Sequence, residues 1–95
     1  MSITPGTRVR VARDVYAREF DGDLVIVDLK GGDYFGLDVV GARVWALLVG
    51  GASVEEVVNH IIATHEAPHE RVLADVLAVT EHLVRQGLLL PEGGT

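Results

Sequence analysis

The sequence predicts an α+β fold, a three-stranded antiparallel meander followed by three helices. Three observations carry this reading. Apolar residues recur in twos through residues 8–37 and in threes and fours from residue 39 onward. The dipeptides Asp21-Gly22 and Gly31-Gly32 cut the first half into hairpin-sized pieces. Asp38, Gly50-Gly51, Ser53, Pro68 and Gly87 punctuate the second half as helix starts and stops.

Arg8-Val9-Arg10-Val11 alternates charge with a β-branched residue, and Val15 to Phe20 continues in strand-compatible composition up to the tight turn at Asp21-Gly22. Leu24 to Leu29 is the strongest strand, and a central place in the meander explains why both its faces are apolar. Gly31-Gly32 then leads into the short strand Asp33 to Leu37. A two-residue turn there pairs Leu29 with Tyr34 and Val27 with Gly36 on one face, with Asp28, Phe35 and Leu37 on the other. A one-residue bulge exchanges the two sets, and the two-residue turn is preferred.

Asp38 suits the N-cap of a first helix over Val39 to Val49, with Val40, Val44, Leu47 and Leu48 on its inner face and Trp45 at the border. Gly50-Gly51 ends it. Ser53-Val54-Glu55-Glu56 matches a capping box, so the second helix starts at Val54 and buries Val54, Val57, Val58, Ile61 and Ile62. It stops before Pro68, which is placed as the first residue of a third helix running to about Gln86, with Gly87 as a left-handed stop. Leu88-Leu89-Leu90 and a polar, Gly-rich tail follow.

At 95 residues the chain has room for one hydrophobic core, so residues 1–95 are expected to form a single domain with an ordered core over about 8–90. An apolar content of 48% against 23% charged residues excludes wholesale disorder. Apolar runs stay far below the roughly 18 residues that span a bilayer, and Met1-Ser2-Ile3-Thr4-Pro5 has neither a basic nor an apolar signal region. A soluble, cytoplasmic protein is expected, with no membrane partner. The absence of cysteine removes disulfides, thiolate ligands and cysteine nucleophiles. A net charge of -6 repels phosphate backbones, so nucleic acid is not an expected partner.

On the third helix Val72, Val76, Val79 and Leu83 form one ridge, and Leu73, Leu77 and Val84 form the ridge beside it. Either the helix is central and both ridges pack inward, or one packs inward while the other lines a groove. The strand Asp33 to Leu37 is an edge of the meander, because the Val9/Val11 segment covers only one side of the sheet. Its shortness and Asp33 protect it against chance pairing. Alternatively, it accepts an extended peptide as an added strand whose anchors enter the groove beside the third helix.

The run Asp28-Leu29-Lys30-Gly31-Gly32-Asp33-Tyr34-Phe35-Gly36-Leu37-Asp38-Val39-Val40-Gly41-Ala42-Arg43-Val44-Trp45, then Ser53-Val54-Glu55-Glu56 and finally Leu83-Val84-Arg85-Gln86-Gly87-Leu88-Leu89, resembles the PqqD-like family of precursor-peptide recognition elements. The resemblance covers about Val9 to Leu90. Within the family, Tyr34 to Trp45 looks most like the small stand-alone proteins of lasso peptide biosynthesis. The resemblance implies a winged helix-turn-helix-like, non-catalytic domain without a cofactor. It implies binding of the leader segment of a ribosomally synthesised precursor peptide by strand addition, and its delivery to a separate leader peptidase, with a cyclase as a further partner. Carried over by position, the strand is Asp33, Tyr34, Phe35, Gly36 and Leu37, and the helix wall is Val72, Leu73, Asp75, Val76 and Val79. Asp75 either pairs with a basic leader residue or is a solvated carboxylate. PqqD itself has Asn in place of Asp38, and both residues cap helices.

Other readings fare less well. His65 and His69 are separated by Pro68 and lack a cysteine or placed carboxylate, so no metal site is expected. Ser53 is a helix cap, and no Ser, His and Asp set has motif context, so an enzyme is not expected. A DNA-binding winged-helix regulator shares the fold class, but the third helix sets Arg71 and Arg85 against Glu70, Asp75 and Glu81. A chaperone of another modified-peptide pathway and an accessory subunit that only stabilises an enzyme are the remaining alternatives.

Overall fold

A computed structural model describes residues 3–92, in the order β1 (Val9–Val11), β2 (Val15–Phe20), β3 (Asp23–Asp28), β4 (Asp33–Leu37), α1 (Val39–Val49), α2 (Val54–Thr64), α3 (His69–Arg85) and β5 (Leu89–Pro91). Strands β2, β3 and β4 form the expected antiparallel meander with β3 in the centre, and the three helices follow it. Most of the Gly-rich tail, Gly93 to Thr95, lies outside the described residues, as do Met1 and Ser2.

The first hairpin turns at Asp21 and Gly22, both left-handed with φ of 50° and 89°, as a two-residue turn that matches strand twist requires. The second differs from expectation. Val27 pairs with Tyr34 and Val25 with Gly36, so the connection spans four residues, 29–32, and Leu29 leaves the strand, 62% exposed. The cause is Asp28, whose carboxylate accepts from the N–H of Lys30 (3.0 Å) and Gly31 (3.3 Å), while its carbonyl accepts from Gly32 (2.8 Å). This local turn competes with the ladder and ends β3 early. The register has moved by two residues, which preserves the expected faces: Ile26, Phe35 and Leu37 point inward, Val27 and Tyr34 outward.

The segment Val9–Val11 does not cover the sheet. It pairs with β5 in a separate two-stranded ribbon, Val9 opposite Pro91 and Val11 opposite Leu89. The reason is burial, since Leu88 and Leu89 are fully enclosed and each contributes about 1.5–3 kcal/mol by leaving water. The core also extends beyond the expected 8–90 limits to Ile3, which is buried.

Helix α1 is capped by Asp38, which accepts from the N–H of Gly41 at 2.9 Å. Its inner face is rotated from the expected one: Gly41, Ala42, Val44, Trp45 and Leu48 are buried, Leu47 is half-buried and Val40 is 54% exposed. Trp45 has the largest apolar surface to hide, and the helix turns to place it in the core. A Cβ on Gly41 would stand 3.1 Å from that of Leu37, so α1 crosses the end of β4 in close contact.

Helix α2 begins at Val54 behind the expected capping box, with Glu56 N–H to Ser53 Oγ at 3.2 Å and Ser53 N–H to Glu56 Oε1 at 2.8 Å. Its buried residues are Val54, Val57, Val58 and Ile61, with Ile62 at the margin. The N-terminal segment takes up further free donors of this helix: Val54 donates to Thr7 (3.0 Å) and Glu55 to Pro5 (2.7 Å). Arg8 pairs with Glu56 at 3.0 Å and donates to the Gly51 carbonyl.

Pro68 is the extended N-cap of α3 rather than its first residue, with ψ of 139°, and the helix starts at His69. Gly87 is the left-handed stop expected, with φ of 79°. Val72, Val76 and Leu83 are buried together with Thr80, whose hydroxyl donates to the Val76 carbonyl at 2.7 Å. No helix among the described residues is long and apolar enough to cross a membrane.

Candidate functional site

The outer edge of β4 pairs with no strand among the described residues. Which of its main-chain groups face outward follows from the neighbouring ladder. Leu29 N–H donates to the Asp14 carbonyl at 2.9 Å, flanking the opposed residues Val15 and Asp28, which makes that pair a non-hydrogen-bonded one. The N–H and C=O of Asp28, and by alternation of Ile26 and Leu24, therefore point toward β4. Their partners Asp33, Phe35 and Leu37 spend their main-chain groups inward, and those of Tyr34 and Gly36 face the open edge. The edge thus offers two donors and two acceptors. No atom lies within 4 Å of where a Cβ on Gly36 would stand.

Beside this edge lies a groove of about 420 Å³ between the end of β4, α1, α2 and α3. Its floor is Val44, Ile61, Val72 and Val76, all buried from the core side, and Val40 and Val79 rise along its walls. Of the expected residues, Gly36, Leu37, Val72, Asp75, Val76 and Val79 are brought together here. Asp33, Tyr34 and Phe35 belong to the β4 edge but do not line the groove, and Tyr34 points to solvent, 78% exposed. Leu73 does not line the groove; it is half-buried on the neighbouring ridge and packs against the margin of the core. The ridge of Val72, Val76 and Val79 both closes the core and forms the groove.

Sequence reasoning missed the share of α1 and α2: Asp38, Val40, Gly41, Val44 and Ile61. Helical spacing alone puts Val40 on the core face. A signal was available in Trp45, whose size makes it the natural centre of the inner face and swings Val40 outward.

Two carboxylates mark the groove, Asp75 on α3 and Asp38 at the start of α1, the latter also engaged as a cap. The surroundings of the site are otherwise apolar, which suits an apolar ligand segment with a cationic group near its end. Among the described residues no group of three His, Cys, Asp or Glu side chains is placed to hold a metal ion. His69 instead contacts Glu55 at 3.0 Å, and His65 shares a hydrogen bond with Thr64 at 2.9 Å. Glu56, away from the groove, has its pKa held below the usual 4.5, first by the Ser53 main-chain N–H and then by the Arg8 charge.

Comparison with known proteins places these features in context. The family model described as coenzyme PQQ synthesis protein D (PqqD) matches residues 23–89. The structure of TbiB1 in complex with the TbiA(beta) leader peptide is 34% identical, covers 90% of this chain and 98% of that one, and superposes with a TM-score of 0.81. A lasso peptide synthetase B1 complexed with its leader peptide is 23% identical, covers 88% and 99% of the two chains and has a TM-score of 0.83, a likeness of fold. No curated protein matches the chain.

Proposed function

The chain belongs to the PqqD family, and on that premise we propose that it binds the leader region of a ribosomally synthesised precursor peptide and hands it to a separate leader peptidase, in a pathway making a lasso peptide. It acts as a single domain and performs no chemistry of its own. The leader adds as a strand to β4, bonding to Tyr34 and Gly36, with Asp33, Phe35 and Leu37 holding the edge in register against β3. Side chains from one face of the added strand enter the groove over Val72, Val76 and Val79, beside Val40 and Val44. Asp75 receives a basic leader residue. Leu73 supports the helix from behind.

The observation that carries this reading is the junction of an unpaired strand edge with an apolar groove. Neither suffices alone. Four main-chain hydrogen bonds at about 0.5–1.5 kcal/mol each give roughly 2–6 kcal/mol, which an association cost of about 4 kcal/mol or more cancels. Two or three buried anchors at about 1.5–3 kcal/mol each raise the total to the roughly 8 kcal/mol of a micromolar complex. The leader complex of the 34% identical TbiB1 supports the same ligand class.

Amide hydrogen exchange with the synthetic leader of the cognate precursor tests the mode of binding. Tyr34 and Gly36 amides gain protection on peptide addition, whereas Phe35 and Leu37 amides are protected already. Binding that leaves Tyr34 and Gly36 exchanging freely rules out strand addition at β4.

A further inference from the structure

Gly36 lies in the interior of β4, where glycine weakens a strand through its backbone freedom and through the side chain it fails to supply. None of the usual internal reasons for it holds here. Its φ is not left-handed, no atom stands within 4 Å of the place a Cβ would take, and the pairing with β3 runs from Asp33 to Leu37 without a bulge. The reason that remains for glycine within a strand is close approach by something from outside the domain. The outward face of the sheet around it is apolar. Across β3 and β2, Gly36 is level with Val25 and Arg18, and the adjoining row is Tyr34, Val27 and Tyr16. Val25 and Val27 are half-buried, whereas Tyr34 is 78% exposed, so the glycine leaves bare main chain between the sheet edge and Val25, beside an uncovered ring.

Resting on the strand addition described above, we propose that the bare main chain at Gly36 seats a bulky apolar side chain of the leader on the outward face of the sheet, the face turned away from the groove. Residues that are level on neighbouring strands share a face, so the leader residue level with Gly36 projects outward beside Tyr34. With no Cβ in its way, that side chain lies across Gly36 toward Val25 and covers the Tyr34 ring, the arrangement by which a large cross-strand residue shields a glycine at a sheet edge. Its chemistry is set by what it meets. Tyr34 and Val25 offer apolar surface, and the one charge in the two rows, Arg18 beyond Val25, disfavours a cationic occupant. Side chains alternate along a strand, so the leader residues on either side of this one turn toward the groove. The leader is thereby read on both faces, and Tyr34, which does not line the groove, is a specificity-determining residue.

The test uses the full chain and the synthetic leader of the cognate precursor, with affinities from titration calorimetry. Serine is placed in turn at each residue of the paired leader segment, and every peptide is titrated against wild type and Tyr34→Ser. One bulky apolar leader residue is expected to cost about fivefold in affinity when replaced on wild type and less than about twofold on Tyr34→Ser. Gly36→Val keeps the outward N–H and fills the bare main chain; leader affinity is expected to fall about tenfold, with an unfolding midpoint at or above that of wild type. The proposal is overturned if no leader position loses sensitivity on Tyr34→Ser, if the position that does so is charged or small, or if Gly36→Val binds the leader as wild type does. Amide exchange separates the two readings. Tyr34 and Gly36 amides left unprotected by bound leader refute strand addition and the outward subsite together, whereas protected amides without coupling to Tyr34 refute the subsite alone.

Discussion

The main-chain N–H of Leu29 donates to the carbonyl of Asp14 at 2.9 Å, and this one bond sets the phase of the whole meander. It makes Val15 and Asp28 a non-hydrogen-bonded pair, turns Asp28, Ile26 and Leu24 toward β4, and leaves Tyr34 and Gly36 facing outward. The substitutions that separate binding from folding follow from that phase.

Gly36→Pro removes an outward donor without breaking a bond to β3, and no atom lies within 4 Å of where its Cβ would stand. Leader affinity measured by calorimetry is expected to fall about tenfold or more, while the unfolding midpoint stays close to wild type. Phe35→Pro, one residue away, loses an inward bond to Ile26 and costs stability of about 1–3 kcal/mol. Similar effects of the two on stability would show that the phase is misassigned.

Asp75→Lys reverses the charge at the groove rim on an exposed helix position. Leader binding weakens several-fold at low salt, and the difference from wild type shrinks as salt is raised, because an exposed pair is screened. Equal affinity at all salt concentrations would mean that Asp75 is simply solvated. Stability, read by thermal melting, is unchanged.

Ser53→Ala deletes one half of the α2 capping box. A loss of about 1 kcal/mol is expected, which lowers the melting temperature by about 4–8 °C in a domain of this size. Leader affinity is unaffected, since the cap lies away from the groove.

Glu56 gives stability a pH dependence with a definite sign. Its folded pKa is lowered by the Ser53 N–H and by Arg8, so the contribution is present above the ordinary value of 4.5 and disappears as pH falls through the lower folded value. Urea midpoints for wild type and Glu56→Gln are expected to differ at pH 7 and to converge toward pH 3. A gap that is constant across that range excludes the ionised carboxylate as its source.

Local signals in the chain account for much of the architecture. Asp21-Gly22, Asp38, the Ser53–Glu56 box and Gly87 each act within a few residues, and each lies where its chemistry alone puts it. The edge of β4 was also legible, because a meander has an end. Other features depend on competition between distant parts. The Asp28 turn overrides Gly31-Gly32 by forming its own hydrogen bonds, and β1 pairs with β5 because Leu88 and Leu89 need enclosure.

What the sequence by itself determined is therefore the order and type of the elements, since turns, caps and periodicity are properties of neighbours along the chain. What only the tertiary structure decided is the rotation of α1 about its axis, and with it the place of Val40 and Gly41 in the groove. That helix is apolar everywhere but at Arg43, so its spacing fits more than one inner face, and the one built on Val40 is not the one the fold uses. Enclosing Trp45 leaves Val40 to wall the groove and Arg43 to face outward, an outcome fixed by packing volume rather than by residue spacing.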